Sequence, residues 1–281
     1  MKKYLLYFLL GVLGLSSCNN LEQDITINLP NVEKRLAVEC YIENGKLPRL
    51  TLTETSGYFD SPALPIVATA EVKITSKKGT DLLRFAPAFN PFTFKGFTHE
   101  GSLPLNINVG DELSLEINDP TTGRKVSAKN KVLPPPAISE IRATFNKDSL
   151  AFLFLRFPDN DPNASNYYHL VINNDSLTGK VQTDFSFEGR FTTNNDVTIG
   201  TPFRFKANDT IIVTVFHIDK AYYDFLETAE DAVSANGNPF GQPAVLVSNI
   251  DNGVGIFTIL SYDRRYFYIK PSGEIVYFTP K

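Results

Sequence analysis

Short segments in which apolar and polar residues alternate recur along most of the chain after residue 33. In residues 36–42 every second side chain is apolar, so one face of an extended strand would enter a core. The same period of two predicts strands at residues 49–54, 70–75, 113–117 and 125–133. Strands at this spacing, with glycine and proline turns between them, predict an immunoglobulin-like β-sandwich over residues 34–133.

A second series of strand-like segments follows the prolines at positions 134–136. Prolines cannot donate to a β-ladder, so we place a domain boundary there and a second antiparallel β domain over residues 137–281. A proline-rich edge strand within a single domain is the alternative. The predicted strands cover residues 138–145, 150–157, 167–172, 184–191, 202–206, 210–218, 245–249, 255–262, 266–270 and 274–279.

One amphipathic helix interrupts this second series, at about residues 220–235. Asp219 is a suitable N-cap, and Gly237 is placed where a left-handed helix stop is expected. Spacings of three and four give the helix one apolar face, which we expect to pack on the core: Tyr222, Phe225, Leu226, Ala229 and Val233. The predicted fold is therefore mainly β, a sandwich followed by a β domain with one helix.

The first eighteen residues have the pattern of a lipoprotein export signal. Lys2 and Lys3 are basic, residues 4–15 are apolar but too few to span a bilayer, and small residues precede Cys18. We predict a signal peptide at residues 1–17, lipidation at Cys18, and a polar tether over residues 18–33. The alternative is an ordinary secretory signal with a chance cysteine.

Charge and cysteine content exclude some classes of protein. Without Lys2 and Lys3, the 27 basic side chains become 25 against 31 acidic ones, so the chain lacks the basic surface that nucleic acids require. Lipidation of Cys18 would leave only Cys40, which precludes an intrachain disulfide. Cys40 belongs to the apolar face of its strand, and we expect it to be a buried core residue.

No sequence motif indicates catalysis, and we expect a protein that is not an enzyme. The histidines His99, His169 and His217 are scattered, without metal-ligand spacing, and no Gly-x-Ser-x-Gly elbow is present. A hydrolase whose triad assembles only in the fold stays possible. No cofactor is indicated except calcium, for which the acidic turn after residue 157 offers three oxygen ligands: Asp159, Asp161 and Asn163.

A zone rich in glycine and asparagine, residues 236–243 and then 249–257, is the most specialised part of the chain. Its side chains either form a structural latch between helix and sheet or contribute to a binding surface, with the latch favoured. Residues 58–59 and 92–97 are aromatic and turn-rich, so we expect exposed contacts there. The binding candidates are Asn238, Phe240, Asn249, Asn252, Tyr58 and Phe59.

These motifs together resemble a known family over nearly the whole mature chain. The similar segments are residues 35–42, 50–55, 58–59, 70–74, 134–135, 161–162, 167–168, 222–226, 238–240, 248–250 and 253–257. They are similar to the Bacteroidota outer-membrane lipoproteins catalogued as domain of unknown function forty-two forty-nine. Cys40 departs from the glycine expected at its position.

The resemblance implies an accessory lipoprotein of the outer membrane, exposed at the cell surface or facing the periplasm. Genes of this family tend to accompany TonB-dependent transporters, so a β-barrel transporter is the implied partner, and no catalytic residues are implied. We therefore expect a lipid-anchored accessory or ligand-binding protein whose ligand is a small molecule or a polymer. A structural or adhesive surface protein is the alternative, and an envelope hydrolase is a third hypothesis.

Overall fold

A computed structural model describes residues 33–57, 65–90, 95–159, 164–189, 195–235 and 245–280. Its strands and helix are β1 (Leu36–Glu43), β2 (Arg49–Glu54), β3 (Glu71–Ser76), β4 (Gly79–Asn90), β5 (Lys95–Glu100), β6 (Glu112–Asn118), β7 (Lys125–Lys131), β8 (Glu140–Phe145), β9 (Ala151–Pro158), β10 (Tyr167–Asn174), β11 (Val181–Glu188), β12 (Asp196–Gly200), β13 (Thr210–Ile218), α1 (Lys220–Ala235), β14 (Val254–Ile269) and β15 (Ile275–Tyr277). The fold is mainly β, as predicted.

Twelve strands form one large sheet, and three form a second sheet. The order in the large sheet is β11-β10-β13-β14-β1-β2-β5-β4-β3-β6-β7, with β15 beside β14, and the small sheet has the order β12-β9-β8. All registered strand pairs are antiparallel except that of β1 with β14, which are parallel with Cys40 opposite Phe257. Two parallel strands need a long connection between them, and here the connection is the whole segment from the end of β1 to the start of β14.

The first core confirms the period-two pattern of β1. Leu36, Val38, Cys40 and Ile42 are each at most 1% exposed and pack in one cluster with side chains of β2, β3, β6 and β7. Burial raises the pKa of the Cys40 thiol, so it stays protonated and unreactive while the protein is folded. The prediction of Cys40 as a core residue is confirmed.

The second core lies between the small sheet and part of the large one. Leu153, Leu155 and Phe157 of β9 face Leu170 of β10 and Val213 of β13, all fully buried. Two sheets that bury their facing sides in this way form a sandwich-like layer pair. The described part of the chain therefore buries one apolar cluster around β1 and another between the small sheet and β10 and β13.

The long strand β14 contributes to both clusters. Its first half pairs with β1 and buries Phe257 in the first cluster, while its second half pairs with β13 and buries Phe267 in the second. The isolated bridge between Ser127 and Asp251 brings β7 to the segment before β14. The sheet is continuous through β14, and the division into two domains at residues 134–136 stays a prediction.

Helix α1 packs on the opposite face of the large sheet. Tyr222 and Phe225 are buried in a third cluster with Tyr167 and Ile256, and the Tyr222 ring lies 5.9 Å from that of Tyr41. The Asp219 carboxylate accepts a hydrogen bond from the Tyr222 amide at 2.8 Å, as expected for an N-cap. Val233, predicted to face the core, is 73% exposed, so the packed face of the helix ends before this residue.

Three strands were not predicted, and two predicted strands are absent. β4 and β5 lack a recognisable alternation, and residues 85–89 are exposed on both faces of β4. β12 alternates but has only five residues. Residues 245–249 form no strand, and residues 202–206 contribute only a bridge from Phe205 to Ala151. The two segments 255–262 and 266–270 are one strand. Within the described residues, no helix is long and apolar enough to cross a membrane.

Candidate functional site

A row of half-buried side chains crosses the large sheet beside helix α1. Strand register places His169 of β10 opposite Phe216 of β13, and Phe216 opposite Tyr262 of β14. The neighbouring row contains Thr214 and Arg264, which are also opposite each other. We call these five residues the aromatic strip: His169, Phe216, Tyr262, Thr214 and Arg264.

Alternation along each strand puts the strip on the face away from the second core. In β13 the residues Ile211, Val213 and Val215 point into that core, so Thr214 and Phe216 point to the other face. Neighbouring rings along the strip are close, with centroids 5.9 Å apart for His169 and Phe216 and 5.4 Å apart for Phe216 and Tyr262. The strip therefore presents nearly continuous aromatic surface across three strands.

Arg264 supplies a fixed positive charge on this surface. Its guanidinium carbon lies 4.5 Å from the centre of the Tyr262 ring, and its Nε donates to the Thr214 hydroxyl at 2.9 Å. Among the described residues, no acceptor is bonded to the two terminal nitrogens of Arg264. The Tyr262 hydroxyl donates to the Glu43 carboxylate at 3.0 Å. Burial, and then the charge of Glu43, raises the pKa of Tyr262.

At its β11 end the strip meets a serine and an aspartate. His169 Nδ1 lies 3.0 Å from Ser186 Oγ, and His169 Nε2 lies 3.2 Å from Asp184 Oδ1. Burial lowers the pKa of His169, although Asp184 raises it in part, so the ring is neutral at pH 7. A neutral ring has one N–H. If Nε2–H donates to Asp184, then Nδ1 accepts a hydrogen bond from the Ser186 hydroxyl.

Chemically, the strip is suited to holding a ligand by stacking and hydrogen bonding. Phe216 and Tyr262 offer ring surface, and the terminal nitrogens of Arg264 offer donors for a carboxylate or a hydroxyl oxygen. Aromatic faces with one fixed donor beside them are suited to sugars and to planar groups. Phe216 also packs against the cluster under helix α1, so a ligand on the strip would lie alongside the helix.

A separate cleft lies under helix α1 and is small. Its volume is about 110 Å³, and Phe225, Leu246, Glu39 and Thr51 are among its lining residues. Pockets that hold drug-sized molecules are roughly 300 Å³ or more. The cleft is therefore a packing defect between helix and sheet, and the aromatic strip is the better candidate for ligand binding.

Two predicted binding residues, Asn249 and Asn252, lie next to the start of β14. The Asn249 side chain bonds both backbone groups of Phe257, donating to the carbonyl at 2.8 Å and accepting from the amide at 2.9 Å. This geometry is that of a structural latch. Asn252 is exposed in a turn with a positive φ of 59°. Binding by either residue stays a prediction, and neither contacts the aromatic strip.

The predicted calcium site is described only at Asp159. That carboxylate is buried, and its Oδ1 accepts from Asn166 Nδ2 and from the Tyr168 hydroxyl, both at 2.7 Å. No group of three acidic, histidine or cysteine side chains in the described ranges is arranged to hold a metal ion. Asp161 and Asn163 lie outside those ranges. Calcium binding stays a prediction.

The remaining predicted site residues lie outside the described residues: Cys18, Tyr58, Phe59, Asn238 and Phe240. Phe97, expected to be exposed, is 9% exposed beneath the Arg49 guanidinium, 4.6 Å from its ring centre. Sequence reasoning missed the whole aromatic strip. The alternation of Tyr262, Arg264 and Tyr266 on one face of β14 was a usable signal, but the register with β13 was not predictable from it.

Comparison with known proteins agrees with the resemblance seen in the sequence motifs. A family model described as Domain of unknown function (DUF4249) matches residues 22–265. The comparison with curated proteins found no match. Because the matched segment covers most of the chain, and with it all five residues of the aromatic strip, the protein belongs to the DUF4249 family.

Proposed function

We propose that the protein is a lipid-anchored accessory protein of the outer membrane that binds a ligand and works beside a TonB-dependent transporter. The anchor is supported by the leader ending at Cys18, which has a basic start, an apolar stretch and small residues before the cysteine. Two or three acyl chains on one residue hold a protein on a membrane stably. Membership of the DUF4249 family is consistent with this assignment.

The observation that carries ligand binding is the position of Arg264 beside the edge-to-face rings of Phe216 and Tyr262, with no acceptor from the described residues bonded to its two terminal nitrogens. A guanidinium that lies half-buried on an aromatic ring has lost part of its hydration. An oxygen acceptor on a ligand would replace the hydrogen bonds to water that were lost. We propose a ligand with flat apolar faces and oxygen acceptors, such as a saccharide chain. A polymer of this type suits a sheet face better than a closed pocket.

The binding experiment compares two arginines that have the same stacking geometry. The Arg142 guanidinium also lies 4.6 Å from a ring centre, that of Phe154, but is outside the strip and ion-paired with Glu140. Isothermal titration with a panel of neutral and acidic polysaccharides should identify a ligand for the wild type. Arg264→Ala should weaken its affinity at least about tenfold, the value of one lost charged hydrogen bond, whereas Arg142→Ala should not. Equal effects of both substitutions would contradict the assignment.

The partner and the anchor need separate experiments. Affinity purification from detergent-solubilised envelope should return a β-barrel transporter, and its absence would count against the accessory role. Mass spectrometry of the native protein should show a diacylglycerol thioether at Cys18 with residues 1–17 removed. Protease treatment of intact cells then determines which side of the membrane the protein faces.

A second candidate function, acyl hydrolysis, is favoured by the contacts of Ser186, His169 and Asp184. Because the Ser186 hydroxyl donates a hydrogen bond to His169 Nδ1, it is positioned as the nucleophile of a hydrolase would be. We rank this function second because the Asp184 side chain is 57% exposed, whereas the acid of a catalytic triad is buried. Fluorophosphonate labelling that is lost in Ser186→Ala would support a hydrolase, and no labelling of the wild type would exclude a reactive serine.

A further inference from the structure

Strands β4 and β5 continue as a two-stranded ribbon beyond the sheet that flanks them. β3 pairs with β4 only as far as Leu83, and β5 pairs with β2 only at His99 and Glu100. Farther along, the two strands pair with each other, with Phe89 opposite Gly96. We call residues 84–90 and 95–98 the ribbon.

The ribbon exposes apolar side chains in an unusual amount. Phe89 is 56% exposed and Phe85 is 43% exposed, and the residues between them are two alanines and a proline, all exposed. Ile66, bridged to Thr53 beside the ribbon, is 44% exposed. Contiguous exposed apolar residues of this kind mark a surface that another apolar phase covers. Arg84, also exposed, adds a positive charge at the base of the ribbon.

The ribbon and the start of the folded chain lie at the same end of the molecule. Leu36 pairs with Glu54, so the chain enters β1 beside the last residue of β2. β5 is antiparallel to β2, and the Thr51 hydroxyl donates to the Gly96 carbonyl at 2.7 Å, so the ribbon extends toward that same end of β2. The Arg124 guanidinium donates to the Lys34 carbonyl, so it lies at the end where the chain enters β1.

The tether limits how far this end can be from the proposed lipid anchor. Residues 19–33 connect Cys18 to the folded chain, and a fully extended chain of that length reaches about 50 Å. The basic side chains Lys34 and Arg35, at the start of the folded chain, favour a surface of anionic headgroups at this end. A membrane at the anchored end is therefore within reach of the ribbon.

We propose that the ribbon, through Phe89 and Phe85, inserts into the surface of the bilayer to which the protein is anchored. This inference rests on the proposed lipid anchor, and it adds a second contact that would set the orientation of the folded chain on the membrane. A single lipid anchor by itself does not set the orientation of the folded chain. Two contacts restrict it, so the aromatic strip would be presented at a defined angle.

The absence of tryptophan from the chain allows a direct test on the mature polypeptide, residues 19–281, made without lipid. Phe89→Trp places a single tryptophan on the ribbon. Leu103→Trp is the matched control, because Leu103 is 71% exposed but lies at the opposite end, near the turn between β1 and β2. Vesicles of phosphatidylethanolamine and phosphatidylglycerol are then added, with and without doxyl-labelled lipid.

Vesicles should shift the emission of the Phe89→Trp protein to shorter wavelength, and doxyl lipid should quench it, while the Leu103→Trp protein is unaffected. Phe89→Ser should lower the vesicle partition coefficient about tenfold, as expected for one partly inserted phenylalanine. No shift in either protein, or equal shifts in both, would overturn the proposal. A shift that grows with protein concentration without vesicles would assign the ribbon to a second copy instead and would also overturn it.

The lipid-free protein keeps this result separate from the proposed anchor. Vesicle binding through the ribbon does not depend on Cys18 being acylated, whereas mass spectrometry of Cys18 does not depend on the ribbon. A bare Cys18 in the native protein would remove the anchor, and an unshifted Phe89→Trp emission would remove the ribbon contact.

Discussion

Gly255 shows how a single residue permits the parallel pairing of β1 with β14. Its φ is +115°, and a Cβ built on it would lie 1.9 Å from the Val38 carbonyl oxygen. L-residues avoid this backbone region, and a backbone oxygen cannot move aside as a flexible side chain can. Glycine is therefore required where the two strands first meet.

Substitution of Gly255 by alanine should lower the free energy of unfolding by more than about 3 kcal/mol, as expected for a backbone clash. Gly45→Ala is the matched control, since Gly45 also has a positive φ of 73° but a Cβ added to it would meet no atom within 4 Å. It should cost about 1 kcal/mol from the backbone conformation alone. Urea denaturation of both variants measures the difference. Similar losses in both would show that the close approach to Val38 is relieved easily.

His217 connects the proline segment to the second half of the sheet. Its Nδ1 donates to the Pro134 carbonyl at 2.7 Å, and its ring stacks on Tyr168 with centroids 5.1 Å apart. Burial lowers the pKa of His217 below 6.5, although the bond to Pro134 and the charge of Asp159 raise it in part. The unfolded chain therefore binds a proton more readily than the folded one.

This lowered pKa predicts acid sensitivity. The contribution of the neutral His217 ring to the free energy of unfolding is fully present above pH 6.5. It is lost as the pH falls through the folded-state pKa of His217. His217→Asn keeps an N–H donor for Pro134 but has no proton to gain. Denaturation curves between pH 7.5 and pH 5 should therefore show a smaller loss of stability for the variant than for the wild type. Parallel curves would mean that His217 is not responsible for the acid response.

At the scale of elements, helix α1 is held by its first residues. One oxygen of Asp219 caps the Tyr222 amide, and the other accepts from Asn130 Nδ2 at 2.6 Å. Asn130 also donates to the Phe257 carbonyl, so the helix start is bonded to β7 and β14 at once. The cap was predictable from sequence because it is local, whereas the partner on β7 is 89 positions away.

Removal of this cap should destabilise the protein measurably. Asp219→Ala should cost about 1 to 2 kcal/mol, since both the cap and the bond to Asn130 are lost. Asp224→Ala, which removes only the exposed pair with Lys220, should cost no more than about 0.5 kcal/mol. A double-mutant cycle of Asp219→Ala with Asn130→Ala then measures their coupling, and additive effects would contradict a shared hydrogen bond.

The strands that were predicted and those that were missed differ in their burial. β1, β9 and β13 bury one face or both, so their apolar periodicity is strong. In β4, residues 84–89 are all exposed, and in β5 three consecutive residues, 97–99, are buried, so neither strand alternates. β12 alternates but is only five residues long. Pattern analysis detects strands with several alternating residues, and strands that are short or do not alternate escape it.

At the scale of the whole molecule, β14 couples the two clusters of buried residues. Its first half completes the sheet beside β1 and its second half completes the sheet beside β13. Neither cluster can unfold alone without disrupting the strand that both clusters share. We therefore expect the described segment after residue 33 to unfold in one cooperative transition.

Cys40 provides a probe for this cooperativity. In the mature chain without Cys18 it is the sole cysteine, and it is fully buried between β2 and β14. Its reaction with Ellman's reagent should begin at the same urea concentration as the loss of far-ultraviolet circular dichroism. A thiol that reacts while the dichroism is unchanged would show that the first cluster opens on its own.

The sequence by itself determined the β class, the buried face of β1, the cap and position of helix α1, and the family, because each depends on local periodicity or on short motifs. Tertiary structure alone decided that β1 pairs in parallel with β14 and that His169, Phe216, Tyr262 and Arg264 share one face. Those contacts depend on register between strands far apart in the chain. A shift of one residue reverses every side chain, and local pattern does not specify which distant strand lies alongside.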